Sequence, residues 1–196
     1  MRILVFSDLH NNKASFEKLI MKAKQVDLIV CAGDISLFSV NLGKIIAKFK
    51  ETKKPLIIIP GNHESPESLE KIRGEYIIPL HKRIYRINDL LFVGYGTDGF
   101  SHEDRKFEEF IKKVKQYIKK EDKVILITHG PPYGTKLDKL PHVDHVGNKS
   151  YRKAITFLSP LFYFCGHLHE NFNKKDKIGK TWIINPGPEG KIINIQ

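Results

Sequence analysis

Five apolar runs, each closed by a polar residue able to bind a metal ion, constrain this chain more than any other feature. Ile3 to Ser7 leads into Asp8, Leu28 to Ala32 into Gly33-Asp34, Leu56 to Pro60 into Gly61-Asn62-His63-Glu64, Val124 to Thr128 into His129, and Leu161 to Cys165 into Gly166-His167. The runs are apolar almost without alternation, the pattern of strands buried on both faces of a largely parallel sheet. In such sheets ligands gather beyond the carboxyl ends of the strands. One edge of the sheet therefore collects one polar cluster.

The segments between the runs supply crossover helices. Asn12 opens a helix with Phe16, Leu19, Ile20 and Ala23 on one face, and a second helix follows the cap candidate Ser39, with Leu42, Ile45, Ile46 and Phe49 at helical spacing. Ser65-Pro66-Glu67 starts a third, which Gly74 holds to about two turns. In the middle of the chain Arg83 to Ile87 and Leu90 to Tyr95 flank Asn88-Asp89, a tight hairpin turn where antiparallel pairing begins. Ser101-x-x-Asp104 has capping-box spacing ahead of the longest helix, whose core stripe is Phe107, Phe110, Ile111, Val114 and Ile118. Tyr151, Ala154, Ile155 and Leu158 mark a further helix, and the tail reads as strands over Thr181 to Ile184 and Lys191 to Ile195.

At 196 residues, 41% hydrophobic and 28% charged, the chain can bury one core, and no linker or repeat divides it, so residues 1–196 are expected to form one domain. Cys31 and Cys165 lie inside apolar strand runs, where a thiol behaves as a small buried hydrophobe; this suits a reducing cytoplasm. The N-terminus enters a strand at once, and no run approaches the ~20 apolar residues of a membrane span, so a soluble, cytoplasmic protein with no membrane partner is expected. A net charge of +11 attracts polyanions and steers phosphorylated substrates. Lys112, Lys113, Lys115, Lys119 and Lys120 fall on a helix surface, where solvation is the ordinary explanation, and no nucleic-acid-binding motif accompanies them.

Collected in order, the strand-edge motifs are Asp8-Leu9-His10, Gly33-Asp34, Gly61-Asn62-His63-Glu64, His129-Gly130 and Gly166-His167-Leu168-His169. A single strand-end histidine is more often a satisfied structural residue than a ligand. Two carboxylates, five imidazoles and an asparagine at one edge have no obvious structural use, whereas divalent cations would satisfy them together. Mixed nitrogen and oxygen donors without thiolate favour Mn²⁺, Fe²⁺ or Zn²⁺ over Mg²⁺ or Ca²⁺. Two such ions ~3.5–4 Å apart can share a hydroxide nucleophile and hold phosphate oxygens through an in-line displacement.

The order Asp-x-His, Gly-Asp, Gly-Asn-His-Glu, His, Gly-His-x-His, running from Asp8 to His169, resembles the calcineurin-like metallophosphoesterases. The resemblance implies a four-layer αββα sandwich of two mixed β-sheets. It implies one ion held by Asp8, His10, Asp34 and His169 and a second held by Asp34, Asn62, His129 and His167, with Asp34 bridging and manganese the favoured metal. It further implies that His63 reaches the phosphoryl group and leaving oxygen as general acid. Neighbours on an extended segment point to opposite sides, which agrees with a division of roles between Asn62 and His63. Glu64 is expected to hydrogen-bond locally rather than to catalyse.

After His129, Gly130-Pro131-Pro132-Tyr133-Gly134 with Asp138 beyond looks like the His-Gly-Pro-Pro-x-Gly-x-x-Asp pattern of a branch related to cyclic-nucleotide phosphodiesterases, although the Asp stands one residue late. Tyr133, Asn11 and Asp98 are the substrate-pocket candidates. The expected activity is metal-dependent hydrolysis of a phosphoester, a phosphodiester above all. A nuclease using the same metals is the enzyme alternative, and a phosphoesterase-like scaffold for a partner protein is the non-enzyme one; its expected sign, an impaired ligand set, is missing from this sequence.

Overall fold

The computed structural model describes residues 1–96 and 101–195. Strands β1 (Arg2–Phe6), β2 (Leu28–Cys31), β3 (Leu56–Ile58) and β4 (Ile77–Pro79) pair in parallel, with helices α1 (Lys13–Ala23), α2 (Leu42–Glu51) and α3 (Pro66–Glu70) as the crossovers. A hairpin of β5 (Arg83–Ile87) and β6 (Leu90–Tyr95) then opens a second sheet. Helix α4 (Arg105–Lys115), β7 (Lys123–Thr128), a small hairpin of β8 (Lys139–Leu140) and β9 (Val143–His145), α5 (Lys149–Leu158), β10 (Phe162–Phe164), β11 (Lys175–Ile178), β12 (Thr181–Ile184) and β13 (Lys191–Asn194) complete the chain. The first sheet runs β13-β1-β2-β3-β4 and the second β11-β12-β10-β7-β6-β5. Each is mixed, because β13, β11 and β5 pair antiparallel with their neighbours.

Alternation along each strand divides the core into three slabs. Leu4, Phe6, Ile29, Cys31, Leu56 and Ile58 face Leu19, Ala23, Ile46, Phe49 and Leu69 of the first helices. Their sequence neighbours Ile3, Val5, Leu28, Val30 and Ile57 pack against Leu90, Phe92, Ile125, Ile127, Phe164 and Ile184 of the second sheet. The other face of that sheet, with Leu91, Val93, Tyr95, Leu126 and Tyr163, meets Phe107, Ile111, Val114, Ala154, Ile155 and Leu158. Two sheets with helices on both outer faces are the four-layer αββα sandwich that the motif order implied. Both faces of a strand such as Leu28–Cys31 are dry, which is why its sequence does not alternate.

Local signals place most element starts. Asn12 Oδ1 accepts from Ser15 N–H at 2.9 Å at the head of α1, and Ser65 Oγ from Ser68 N–H at 3.1 Å before Pro66. Two expected caps move. Helix α2 is entered through Asn41 in the left-handed region rather than through Ser39, and α4 is capped by Asp104, which accepts from Phe107 N–H at 2.9 Å, rather than by Ser101. Ser101 instead anchors Asn148, whose Nδ2 donates to Ser101 O at 2.6 Å. Ile118 lies beyond the end of α4, which stops at Lys115. Strands β4, β8, β9 and β11 carried no expectation. In β11, Lys-Asp-Lys-Ile at a sheet edge, alternate charged residues face solvent and hide the strand from an apolar pattern. Among the described residues, no helix is long and apolar enough to cross a membrane.

Candidate metal centre

The loops leaving β1, β2, β3, β7 and β10 meet at one end of the sandwich. The chain must turn at once after each buried strand, and Asp8 (φ 53°), His10 (φ 45°), Asp34 (φ 55°) and His167 (φ 71°) all adopt the left-handed region. Each such residue costs on the order of 1–3 kcal/mol and persists only where its surroundings hold it. Asp8 N–H donates to Gly33 O at 3.0 Å and His10 N–H to Asp34 O at 3.1 Å. His167 N–H donates to both oxygens of Asp8 at 3.1 Å. Gly61 and Gly166 admit the carboxylates, since a Cβ at either would collide with Asp34 or Asp8.

Glu64 is the brace beneath this network. Its buried carboxylate accepts from Asp34 N–H at 3.0 Å, from Ser36 N–H at 2.8 Å and Oγ–H at 2.7 Å, and from Gly61 N–H at 3.3 Å. It thereby ties the loop after β2 to the loop after β3. Asn185 does the same for the last loop: its Nδ2 donates to Leu168 O at 3.3 Å and its Oδ1 accepts from Gly187 N–H at 3.1 Å. Asn185 went unnoticed in the sequence, where its one cue is the Asn-Pro-Gly turn that follows a strand.

Above the braces the donor atoms converge. Asp34 Oδ2 lies 3.3 Å from His129 Nε2, 3.6 Å from His10 Nε2 and 3.9 Å from His63 Nε2. Asp8 Oδ1 lies 3.7 Å from His169 Nε2 and 3.9 Å from both His10 Nε2 and His129 Nε2. The Nε2 atoms of His10 and His169 are 3.2 Å apart. Asn62 Oδ1 stands 3.0 Å from His129 Nε2 and 3.1 Å from His167 Nδ1. Among the described residues, three groups thus have the spacing to hold an ion: Asp8, His10 and His169; Asp8, Asp34 and His129; and His10, Asp34 and His63. The residues fit divalent cations. Two carboxylates, 3% and 2% exposed, and facing imidazole nitrogens are satisfied together by cations but only in part by shared protons.

The electrostatics follow from that crowding. Burial would raise the Asp8 carboxyl, but the neighbouring His169 and the charge of His129 outweigh it and hold the group below the ordinary carboxylate range. Asp34 is also held low: burial is opposed by the bond and charge of His129 and by His63 N–H, which donates to Oδ1 at 2.9 Å. Burial opposes the charge on His129, yet Asp34 and Asp8 together push it up to about 9. Burial and the neighbouring His129 push His167 down to about 4. Burial also lowers His10, whereas the Asp8 carboxylate beside it raises His169. Burial raises Glu64 against the pull of Ser36.

Asp8, His10, Asp34, Asn62, His63, His129, His167 and His169 therefore stand together. Asn62 turns toward His129 and His167, while the His63 ring packs edge-on against His10 at 4.9 Å. Asn11 is adjacent and lines a cavity of about 240 Å³ with Leu9, Lys13, Asn41 and Lys44; its Oδ1 is buried without a hydrogen-bond partner. Tyr133 keeps other company: Lys149 Nζ lies 5.3 Å from its ring centre and His145 is 5.5 Å away. Asp98 lies outside the described residues. Asp138, fully buried, closes the loop after His129 by accepting from Gly134, Thr135 and Gly147 N–H at 3.0, 2.7 and 3.0 Å.

This fold and cluster define a metallophosphoesterase class, and comparison with known proteins identifies it. The description of the Calcineurin-like phosphoesterase family matches residues 1–171, and the chain belongs to that family. An uncharacterised protein of Methanocaldococcus jannaschii, MJ1162, is 29% identical over 204 residues, covering 98% of this chain and 91% of its own length. TT1561 of Thermus thermophilus superposes with a TM-score of 0.75 at 17% identity, over 96% of this chain and 90% of that one. A dimetal phosphatase from Danio rerio superposes with a TM-score of 0.61 at 11% identity, over 94% and 86%. At such identities the two structures share the fold. Family membership makes this a hydrolase of phosphoester bonds.

Proposed function

We propose that the chain is a dinuclear phosphodiesterase in which Asp8, His10, Asp34 and His169 hold one ion and Asp34, Asn62, His129 and His167 the second. The observation that carries this reading is the position of Asp34 Oδ2, 3.6 Å from His10 Nε2 and 3.3 Å from His129 Nε2, between two sets of donors. When bound, two divalent cations supply a hydroxide at neutral pH and neutralise charge on the phosphate oxygens. His129 presents Nε2 to the centre because its Nδ1 lies 2.9 Å from Ala32 O, to which only a protonated nitrogen can donate. Asn62 offers a neutral oxygen and so limits the negative charge of its set. His63, held by its own N–H on Asp34 Oδ1 with Nε2 3.9 Å from Asp34 Oδ2, would give its proton to the departing oxygen. Asn11, Asp98 and Tyr133 are assigned to the substrate.

Manganese is the assigned metal. The donor set excludes neither iron nor zinc, because all three accept mixed nitrogen and oxygen ligands. The preference for diesters rests on the Gly130-Pro131-Pro132-Tyr133-Gly134 loop, which Asp138 closes by accepting from Gly134 and Thr135 N–H. Buried, unpaired Cys31 and Cys165 suit the reducing cytoplasm to which we assign this single domain. The net charge of +11 favours a second reading, a nuclease whose surface holds a polynucleotide. A panel with Mn²⁺ tests both: cyclic nucleotides, linear dinucleotides, phosphomonoesters, and single- and double-stranded oligonucleotides. Diester turnover without cutting of oligonucleotides is expected, cutting of oligonucleotides establishes the nuclease, and turnover of monoesters alone refutes both.

A further inference from the structure

Between β2 and α2 a short turn stands against the centre without contributing a ligand. Val40 N–H donates to Leu37 O at 2.9 Å, and the two residues form an isolated antiparallel bridge. The residues between them, Phe38 and Ser39, have φ of 50° and 61°. Glycine and asparagine are the usual occupants of such a turn, and a bulky aromatic there is a backbone outlier. Core packing does not offset that strain, since Phe38 is 71% exposed, with Leu37 and Val40 at 41% and 56% beside it. The ring nevertheless has a defined neighbour: it meets the His63 ring edge-on, with centres 4.4 Å apart.

His63 therefore has two sides. One approaches Asp34 Oδ2 at 3.9 Å, and the other carries Phe38. On the reading of His63 as the acid, the substituent of the leaving oxygen would lie beside the ring that packs against His63. We propose that Phe38 is a specificity-determining platform for that substituent, and that the chain selects phosphoesters whose leaving alcohol carries a flat aromatic or heteroaromatic ring. The inference rests on the reading of His63 as the acid at the leaving oxygen. An apolar face presented rigidly to solvent stacks on a ring with little loss of conformational freedom, and gains less from a short alkyl chain.

Two measurements on the Mn²⁺-loaded protein test the platform. By calorimetry, phenylphosphonate should bind about tenfold more tightly than methylphosphonate, a difference that Phe38→Ala removes and Phe38→Trp keeps. In turnover, Phe38→Ala should lower kcat/KM about tenfold for 2-naphthyl esters and less than about twofold for ethyl esters. Equal binding of the two phosphonates by the unaltered protein, or equal losses on both esters, overturns the platform. A larger loss on the ethyl ester, whose leaving group needs the acid more, would mean that Phe38 only steadies His63 and also overturns the platform. Ester turnover with no ring preference leaves the phosphoesterase reading standing, whereas no turnover of any ester with Mn²⁺, Fe²⁺ or Zn²⁺ overturns both.

Discussion

Asp34 and its two carboxylate oxygens do different work. Oδ1 accepts from His63 N–H at 2.9 Å, while Oδ2 faces the Nε2 atoms of His129, His10 and His63. Asp34→Asn should therefore weaken both ion sites together, read as loss of both bound equivalents in metal analysis of dialysed protein. Retention of one full equivalent would show that Asp34 serves a single ion. His63→Ala should cost roughly 10²–10⁴-fold in kcat on an alkyl phosphodiester and far less on a nitrophenyl ester, whose leaving group needs little acid help. Equal losses would remove the acid role. Glu64→Ala would strand the buried N–H groups of Asp34 and Ser36, and should lower the stability of the metal-free protein by about 2–4 kcal/mol in urea denaturation.

Among the elements, α4 shows how a local code is resolved by its surroundings. Both Ser101 and Asp104 can cap a helix, and the capping-box spacing pointed to Ser101. Asp104 is selected because its second oxygen also accepts from Tyr95 Oη–H at 2.8 Å, which joins the helix to β6. Asp104→Ala should destabilise the protein by about 1–3 kcal/mol, against about 0.5 kcal/mol or less for Ser101→Ala, measured as shifts in urea midpoint at constant slope. The same ambiguity explains α2, where Ser39 belongs to the strained turn that presents Phe38 and entry passes to Asn41. Helix stripes such as Phe107, Ile111 and Val114 were legible because burial on one face imposes a period of 3.6 residues. Edge strands such as β11 were not, because one open side permits charge.

For the molecule as a whole, the metals and the net charge are the levers. Ions that bind the folded chain at about 100 times their dissociation constant add about 2.7 kcal/mol to stability, so chelation should lower Tm by several degrees and re-addition of Mn²⁺ should restore it. An unchanged Tm with full loss of metal would place the ions outside the folded framework. The residues of the candidate site were named in advance because each stands within a few positions of the end of an apolar strand run, a signal confined to short stretches of chain. Asp8, Asp34, Asn62, His129 and His167 were named from such runs alone. Asn185 was not, since its bonds to Leu168 and Gly187 join it to a loop built mostly by other elements.

The sequence by itself determined the buried strands, the helices between them and the list of polar residues at the strand ends, because apolar period and strand-end chemistry are local properties. Only the tertiary structure decided which of those residues share an oxygen, which N–H groups Glu64 holds, and that Phe38 leans on His63. These depend on the relative placement of loops from both sheets, fixed by the dry slab between them, and distances across that slab are not written in any short stretch of chain.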